Sequence, residues 1–187
     1  MIDPVLARRI RLVGLDVDGV LTDGGLYIGQ AGGQPVELKR FDIQDGLGIK
    51  LLQMAGLTVA FVSARTSEAT AARARELKVD EVIQSNKKLP AFEQLLARHK
   101  LAWEDCCFVG DDLPDLPVLR RVGLPVAVAN AVPEVRAAAQ VMTRAAGGAG
   151  AAREVAELVL RGRGAWDELL DEYFRQRGET GVDAQSR

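Results

Sequence analysis

The chain has 187 residues, of which 48% are hydrophobic and 27% charged, and its net charge at pH 7 is −2. This length supports one well-buried core, and the near-neutral charge argues against a nucleic-acid surface or an anionic membrane partner. Apolar runs stay shorter than the roughly 18 residues that span a bilayer, and no secretion signal follows Arg8 and Arg9. Adjacent Cys106 and Cys107 would point to opposite faces of one strand, so we expect reduced thiols in a cytoplasmic protein.

Short apolar segments alternate with helical segments along the chain. Strands that are apolar throughout and separated by helices indicate a parallel sheet covered on both faces. We therefore predict a single α/β domain over residues 1–177, with a doubly wound, mostly parallel sheet. The predicted strands are 11–17, 58–63, 81–84, 106–110, 126–129 and 141–143, and the predicted helices are 45–55, 67–78, 90–100, 112–122 and 133–139.

Two parts of the chain break this alternation. Residues 24–42 have two β-like arms around a Gly-rich turn, which predicts a projecting β-hairpin. Beyond the last predicted strand come a Gly-rich turn, a helix and a second amphipathic segment. The final stretch, 178–187, is polar, and we predict that it is disordered.

Polar residues follow several of the predicted strands. In "LVGLDVDGVLTDG", Asp16 and Asp18 come directly after an apolar run, where burial of carboxylates costs free energy unless something compensates. Ligands of open parallel sheets bind beyond the carboxyl ends of the strands. The other strand ends supply Ser63, Lys87 or Lys88, and the pair Asp111 and Asp112. This set suits a phosphate held beside Mg²⁺, which binds carboxylate and phosphate oxygens.

These motifs, in this order, resemble those of the haloacid dehalogenase superfamily of phosphohydrolases, whose fold is Rossmann-like. The chain matches the first motif with "DVDGVLT" (16–22), the second with Ser63, the third with a lysine, and the fourth with "GDD" (110–112) and Asp115. The resemblance implies that Asp16 is the nucleophile and forms an aspartyl-phosphate, and that Asp18 is the general acid and base. It also implies that Ser63 and the lysine hold the transferring oxygens, and that Mg²⁺ is held by Asp16, the backbone carbonyl of Asp18, and Asp111.

Several of these residues have alternative interpretations. Lys87 and Lys88 compete for the third motif, and the family spacing, with Ala91 and Phe92 after the lysine, favours Lys88. Isolated aspartates are often turn formers or helix caps. That interpretation is open for Asp23 and Asp45, whereas Asp112 would orient a ligand, and Asp115 would either orient Lys88 or cap the helix. His99 is assigned no catalytic role.

A narrower resemblance, covering residues 10–166, is to the 3-deoxy-D-manno-octulosonate 8-phosphate phosphatase family. It rests on "DVDGVLTDG", "FDIQDGLGIK", "QSNKKLPAF", "GDDLPDLPVL", "VGLPVAVANA" and "AGGAGAAREV". The family implies Mg²⁺-dependent hydrolysis of an eight-carbon sugar acid phosphate during lipopolysaccharide inner-core synthesis. It also implies a homotetramer in which the 24–42 hairpins associate and neighbouring subunits cover each site. The short gaps between the motifs leave no room for a separate cap domain.

The same resemblance places the substrate contacts. Arginine can bind a phosphate or a carboxylate through paired hydrogen bonds, which suits a substrate that carries both. For Lys50 and Arg73, a solvated helix face is the alternative. The chain departs from the family at Asp42 and Gln44, where Asn and Arg are frequent, and at residues 63–65, where Thr-Gly-Arg is frequent. Related enzymes dephosphorylate nine-carbon sugar acids through the same motifs, so a nine-carbon sugar acid phosphate is an alternative substrate. The implied contacts are Asp18, Asp42, Ile43, Gln44, Asp45, Gly46, Lys50, Arg65, Arg73 and Lys88.

Two other classes of protein share parts of this pattern. A phospho-accepting signalling domain also combines Asp, Ser or Thr and Lys on a parallel sheet, but it lacks an acid at the position of Asp18. A non-catalytic scaffold would have lost motif residues, and all of them are present here. A mutase without a cap would expose its intermediate to water. The pattern therefore favours a hydrolase.

Overall fold

The computed structural model describes residues 2–178, so the predicted disordered tail, apart from Gly178, lies outside the described residues. Helices and strands alternate along most of this range. The strands are β1 Leu12–Asp16, β2 Tyr27–Ala31, β3 Gln34–Leu38, β4 Thr58–Ser63, β5 Glu81–Gln84, β6 Cys106–Gly110, β7 Leu124–Ala127 and β8 Val141–Met142. The helices are α1 Pro4–Arg9, α2 Ile43–Met54, α3 Glu68–Leu77, α4 Lys88–His99, α5 Leu116–Leu119, α6 Pro133–Ala138, α7 Ala151–Arg163 and α8 Trp166–Arg175.

Six strands form one sheet in the order β5-β4-β1-β6-β7-β8, and every neighbouring pair is parallel. The central strand β1 is buried along its whole length. Asp16 is paired with Val62 and Leu15 with Val109, so β1, β4 and β6 end level with one another. This register brings Asp16, Ser63 and Gly110 to the same edge of the sheet.

Helices cover both faces of the sheet. Helices α1, α2, α7 and α8 pack together on one face, and α4, α5 and α6 pack together on the other. A Cβ at Gly48 would lie 2.8 Å from the Cα of Arg153, so this glycine allows α2 and α7 to approach closely. The doubly wound, parallel architecture predicted from the sequence is confirmed. No described helix has the length and apolar character that a membrane span requires.

One predicted helix is shorter than expected. The prediction for 112–122 gave one helix, whereas the structure has a 3₁₀ turn at Leu113–Asp115 followed by the four-residue helix α5. Pro114 and Pro117 remove two backbone donors from this segment, and such residues limit a regular helix to short pieces.

The predicted hairpin is present as a separate two-stranded antiparallel sheet of β2 and β3. Its turn is made by Gly32 and Gly33, whose φ angles of 58° and 78° suit a tight hairpin turn and favour glycine. The side chains of Tyr27 and Ile28 are exposed. At the base of the hairpin, a bridge between Thr22 and Phe41 ties it to the loop after β1.

Candidate active site

The loop after β1, Val17–Leu21, turns sharply, and its backbone angles are non-helical at Asp18 and Gly19. The backbone N–H and the hydroxyl of Thr22 both donate to the carbonyl of Val17, at 3.0 and 3.1 Å. Gly19 has a φ of 102°, and a Cβ there would collide with the carboxylate of Asp111. Because only glycine meets both conditions, this residue lets the loop approach the acids that follow β6.

A second loop packs against this turn. Gly147 donates its backbone N–H to the side-chain oxygen of Asn130 at 2.7 Å, and the Asn130 amide donates to the carbonyl of Gly19 at 3.2 Å. Gly148 donates its N–H to the carbonyl of Val20 at 3.0 Å. The Gly-rich segment before α7 therefore supports the loop that carries Asp18.

Lys88 lies buried between two carboxylates. Its ammonium donates to Oδ1 of Asp16 and to Oδ1 of Asp115, in both cases at 2.6 Å. Burial disfavours the ammonium, but attraction to these two carboxylates outweighs it and raises the pKa of Lys88. Lys87 is exposed, so of the two lysines left open by the residues themselves, the structure directs Lys88 into the site.

Three carboxylates meet at this point. One oxygen each from Asp16, Asp111 and Asp115 lies within 4.8 Å of the others. Asp115 is already engaged, because its Oδ2 accepts the backbone N–H of Asp111 at 3.0 Å while its Oδ1 binds Lys88. Oδ1 of Asp111 is buried and has no hydrogen-bond partner among the described residues. A buried carboxylate oxygen without a partner is costly unless a cation binds it.

The electrostatics of the site also favour a cation. Burial raises the pKa of Asp111 to about 6, and the nearby charge of Asp115 adds to the effect. Burial, followed by repulsion from Asp115, raises the pKa of Asp16 well above its ordinary value. One ammonium faces three carboxyls, so a divalent cation would restore the balance. The carboxylates of Asp16 and Asp111 supply oxygen ligands of the kind that fits Mg²⁺.

Ser63 ends β4 beside these acids and is buried. Its hydroxyl lies 3.4 Å from Oδ2 of Asp18 and 3.1 Å from the carbonyl of Arg65. It also accepts the backbone N–H of Arg65 at 3.1 Å, which fixes it in a tight turn. The structure thus brings together Asp16, Asp18, Ser63, Lys88 and Asp111, five residues singled out from the sequence.

The predicted substrate-contacting residues are spread more widely. Asp42 caps α2 by accepting the N–H of Gln44 at 2.7 Å, and Ile43 is 84% exposed. Asp45 is buried on the side of α2 that faces α7, where its Oδ1 accepts the N–H of Arg153 at 2.8 Å. Asp45 therefore caps α7 in this subunit and does not face the carboxylate cluster.

Two of the predicted cationic contacts, Arg65 and Arg73, lie near the hairpin and its base. Arg65 pairs with Glu37 of β3 at 3.0 Å. Arg73 donates to the carbonyl of Asp42 at 3.1 Å and pairs with Glu76 at 2.9 Å. Gly46 allows this approach, since a Cβ there would lie 2.7 Å from Nη2 of Arg73. Lys50 is exposed on α2.

A groove runs between the base of the hairpin and α3. Its volume is about 320 Å³. Two of the predicted substrate contacts, Ile43 and Arg73, line it, together with Leu38, Phe41 and Ala72. The lining therefore combines apolar side chains with the guanidinium of Arg73 and two further charged residues, Lys39 and Glu76.

Sequence reasoning missed Lys39, whose side chain has no exposed surface. Its ammonium donates to Oδ1 of Asp18 at 2.6 Å and lies 3.4 Å from the hydroxyl of Thr70. The sequence does contain a signal for this residue. Glu37 in β3 and Lys39 just after it are both charged and two positions apart, so they lie on the same face of the strand.

Comparison with known proteins agrees with this geometry. A family profile described as haloacid dehalogenase-like hydrolase matches residues 82–155. The 3-deoxy-D-manno-octulosonate 8-phosphate phosphatase of Escherichia coli strain K12 is 44% identical over 163 residues, which span 87% of this chain and 85% of the relative.

Solved structures give the same result. A 3-deoxy-D-manno-octulosonate 8-phosphate phosphatase from Moraxella catarrhalis, in complex with magnesium, phosphate and KDO, superposes with a TM-score of 0.86 at 35% identity, covering 91% of this chain and 97% of that one. A probable phosphatase from Pseudomonas syringae pv. phaseolica has a TM-score of 0.86 at 44% identity, covering 91% and 96%. The chain therefore belongs to the 3-deoxy-D-manno-octulosonate 8-phosphate phosphatase family of haloacid dehalogenase-like hydrolases.

Proposed function

We propose that this protein hydrolyses 3-deoxy-D-manno-octulosonate 8-phosphate to the free sugar acid and phosphate, in the synthesis of the lipopolysaccharide inner core. The observation that carries the proposal is the position of Asp16, which ends β1 in contact with Lys88 and beside Asp111. The Moraxella relative binds magnesium, phosphate and KDO. The enzyme is a phosphoric monoester hydrolase that uses Mg²⁺.

In the first step, a carboxylate oxygen of Asp16 attacks phosphorus. The bond between phosphorus and the sugar oxygen breaks, and its electron pair leaves with that oxygen. Asp18 donates a proton to the departing oxygen, so the product is a neutral alcohol. The phosphoryl group is then an acyl phosphate on Asp16. Lys88 holds Oδ1 of Asp16, which leaves Oδ2 for the attack.

In the second step, water attacks the phosphorus of the aspartyl-phosphate. Asp18 takes a proton from this water, and the bond between phosphorus and the Asp16 oxygen breaks. Phosphate leaves, the carboxylate of Asp16 is restored, and Asp18 is again protonated. The position of Asp18 two residues after the nucleophile serves both steps, because the sugar oxygen leaves from the side on which water later arrives.

The remaining residues bind the phosphoryl group and the metal. Ser63 and Lys88 would donate hydrogen bonds to the transferring oxygens. Asp16, Asp111 and the backbone carbonyl of Asp18 would hold Mg²⁺. When bound, Mg²⁺ offsets the repulsion between the attacking carboxylate and the phosphate dianion.

The sugar acid would lie towards the hairpin side, over the start of α2. Arg73 supplies positive charge there, since it lines the groove and donates to the carbonyl of Asp42, and Arg65 adds a second guanidinium beside β3. The side chain of Arg65 is about half exposed and pairs with Glu37, so a substrate carboxylate would have to share this guanidinium with Glu37. These contacts, with Lys50, would select a substrate that carries a carboxylate.

The assembly proposed with this function is a cytoplasmic homotetramer of a single-domain chain, residues 1–177. The hairpin 24–42 is the proposed interface, because it projects from the sheet and exposes Tyr27, Ile28 and Leu38. Exposed apolar side chains on a projecting element favour burial against another subunit. Neighbouring subunits would then cover sites that have no cap domain of their own among the described residues.

A panel of phosphorylated sugar acids tests the substrate. The purified enzyme with Mg²⁺ would be assayed on eight- and nine-carbon sugar acid phosphates and on matched analogues without the carboxylate. We expect the highest kcat/KM for the eight-carbon acid. A higher value for the nine-carbon acid would support the alternative of a nine-carbon substrate. Equal values with and without the carboxylate would contradict both and leave a general phosphatase.

A further inference from the structure

The hairpin reaches the active site through its second strand. Glu37 and Lys39 lie two residues apart and share one face of β3 and its continuation. Glu37 accepts from the hydroxyl of Ser67 at 2.6 Å and pairs with Arg65 at 3.0 Å. Lys39 contacts Asp18. The hairpin base is therefore bound by polar contacts to two of the strand ends that form the site.

Lys39 is the buried member of this set. Its side chain has no exposed surface, whereas the side chain of Asp18 is 30% exposed and that of Glu37 25% exposed. Its ammonium lies 2.6 Å from Oδ1 of Asp18, 3.4 Å from the Thr70 hydroxyl and 3.6 Å from Oε1 of Glu37. A buried ammonium needs partners on several sides, and here Asp18 is the nearest.

This contact distinguishes the two oxygens of Asp18. Oδ1 is occupied by Lys39, while Oδ2 faces the hydroxyl of Ser63 at 3.4 Å. Ser63 is the residue that would hold a phosphoryl oxygen, so Oδ2 is the oxygen turned towards the reacting group. A carboxylate held at one oxygen by a buried ammonium loses rotational freedom about its side-chain bonds.

We propose that Lys39 is a positioning residue that fixes the carboxylate of Asp18 for proton transfer, so that the hairpin supplies part of the active site. This inference rests on the proposed function, since it assumes that Asp18 transfers protons. Lys39 acts through Asp18 and does not itself contact the phosphate. A misplacement of about 1 Å in such a group costs about 100-fold in rate.

The experiment uses p-nitrophenyl phosphate with Mg²⁺ and the variant Lys39→Met. Nitrophenolate is a stable anion and leaves without a proton, so the first step does not need Asp18, whereas hydrolysis of the aspartyl-phosphate does. We expect first-turnover nitrophenolate release within about threefold of wild type and steady-state turnover lower by about 100-fold. The signature is a burst of one nitrophenolate per site.

Two further variants separate positioning from folding. Thr70→Val removes one partner of Lys39 while keeping the shape of a buried side chain, and it should give the same burst with a smaller loss. Lys87→Met removes an exposed lysine and should match wild type in both phases. In the double variant Asp18→Asn with Lys39→Met, steady-state turnover should be no slower than in Asp18→Asn alone, because Lys39 has nothing left to position.

Parallel losses in the burst and steady-state phases of both Lys39→Met and Thr70→Val would overturn the inference, and so would wild-type kinetics in Lys39→Met. An additional loss in the double variant would also overturn it. If wild type hydrolyses p-nitrophenyl phosphate but no sugar acid phosphate, the proposed substrate fails while the Lys39 assay still gives its result. The two proposals therefore fail separately.

Discussion

The ammonium of Lys88 lies 2.6 Å from a carboxylate oxygen of Asp16, close enough to hold the nucleophile in one orientation. A second contact of the same length, to Asp115, fixes the lysine from the other side. Because all three groups are buried, removing the cation would leave the two carboxylates facing each other without compensation. Loss of the Lys88 ammonium should therefore disturb the site strongly.

Lys88→Met should lower kcat by about 10³-fold, because it removes both the charge that holds Asp16 and a donor to the phosphoryl oxygens. Lys87→Met is the matched control, since Lys87 is exposed one residue earlier, and it should retain wild-type kcat. Steady-state kinetics measure both variants, with circular dichroism to check folding. A folded Lys88→Met enzyme with normal kcat would remove this lysine from the mechanism.

Asp16→Asn and Asp18→Asn should each abolish turnover, with losses of about 10³-fold or more. An amide in place of the Asp16 carboxylate would be a poor nucleophile, and an amide in place of the Asp18 carboxyl could neither donate the required proton nor accept one. Asp112→Asn is the control, because Asp112 is exposed and its side chain caps the following turn by accepting the N–H of Leu113, a role that asparagine also fills. Phosphate release assays compare the three. Near-normal hydrolysis by Asp16→Asn would refute the nucleophile assignment.

The positions of the strand-end residues were predictable because the ends of adjacent parallel strands lie at the same edge of a sheet. Apolar strands followed by Asp16, Ser63 and Gly110 had to deliver those residues to one edge once the strands were parallel and in register. Lys39 and Asp45 were not predictable in this way. Their surroundings depend on how the hairpin docks against α3 and how α2 packs against α7, which are long-range contacts that no local pattern specifies.

The shortened helix α5 has a local cause in the sequence itself. Pro114 and Pro117 are visible in "GDDLPDLPVL", and each removes a backbone donor. The same segment nevertheless places Asp115 under Lys88, since the 3₁₀ turn directs its carboxylate back to the N–H of Asp111. The irregular backbone therefore helps to form the site.

The thiols of Cys106 and Cys107 should not react in the folded protein. Burial raises the pKa of Cys106 to about 12, and burial raises the pKa of Cys107 as well. At pH 8 the thiolate fraction of Cys106 is then about 10⁻⁴, roughly a thousandfold below that of a free thiol. Ellman's reagent should label neither residue in native protein and both in guanidinium. Rapid native labelling of either would contradict the buried placement of β6.

A substitution that introduces one charge on the hairpin tests the proposed interface. Ile28→Asp places a carboxylate on an exposed apolar position of β2, where the proposed tetramer would bury it. Light scattering should show a smaller assembly than wild type, with catalysis impaired because neighbouring subunits no longer cover the site. Val5→Asp is the control, since Val5 is 69% exposed and Ile28 75% exposed, and it should leave the assembly unchanged.

Deletion of the hairpin turn, residues 30–34, should reduce the size of the assembly and the catalytic rate more strongly than Ile28→Asp does. The sheet of β2 and β3 is separate from the six-stranded core, so the core should remain folded and thermal unfolding should stay cooperative. A stable monomer with wild-type activity, from either Ile28→Asp or the deletion, would contradict the interface.

Magnesium binding should weaken as the pH falls through about 6. Burial and the neighbouring Asp115 raise the pKa of Asp111 to about 6 in the metal-free protein, so below that pH the carboxyl holds a proton that the cation must displace. The apparent association constant should then drop about tenfold per pH unit for each proton displaced. Above the raised pKa the carboxylate is already ionised, and binding releases no proton from it.

Calorimetry at pH 5, 6 and 7.5, in buffers of different ionisation enthalpy, measures both the affinity and the protons released. Asp112→Asn should keep the full pH dependence, whereas Asp111→Asn should remove most of the binding. Chelation should abolish phosphatase activity until Mg²⁺ is restored. Equal affinity at pH 5 and pH 7.5 without proton release would mean that Asp111 is not a ligand, because a cation that binds its carboxylate must compete with the proton that burial stabilises there.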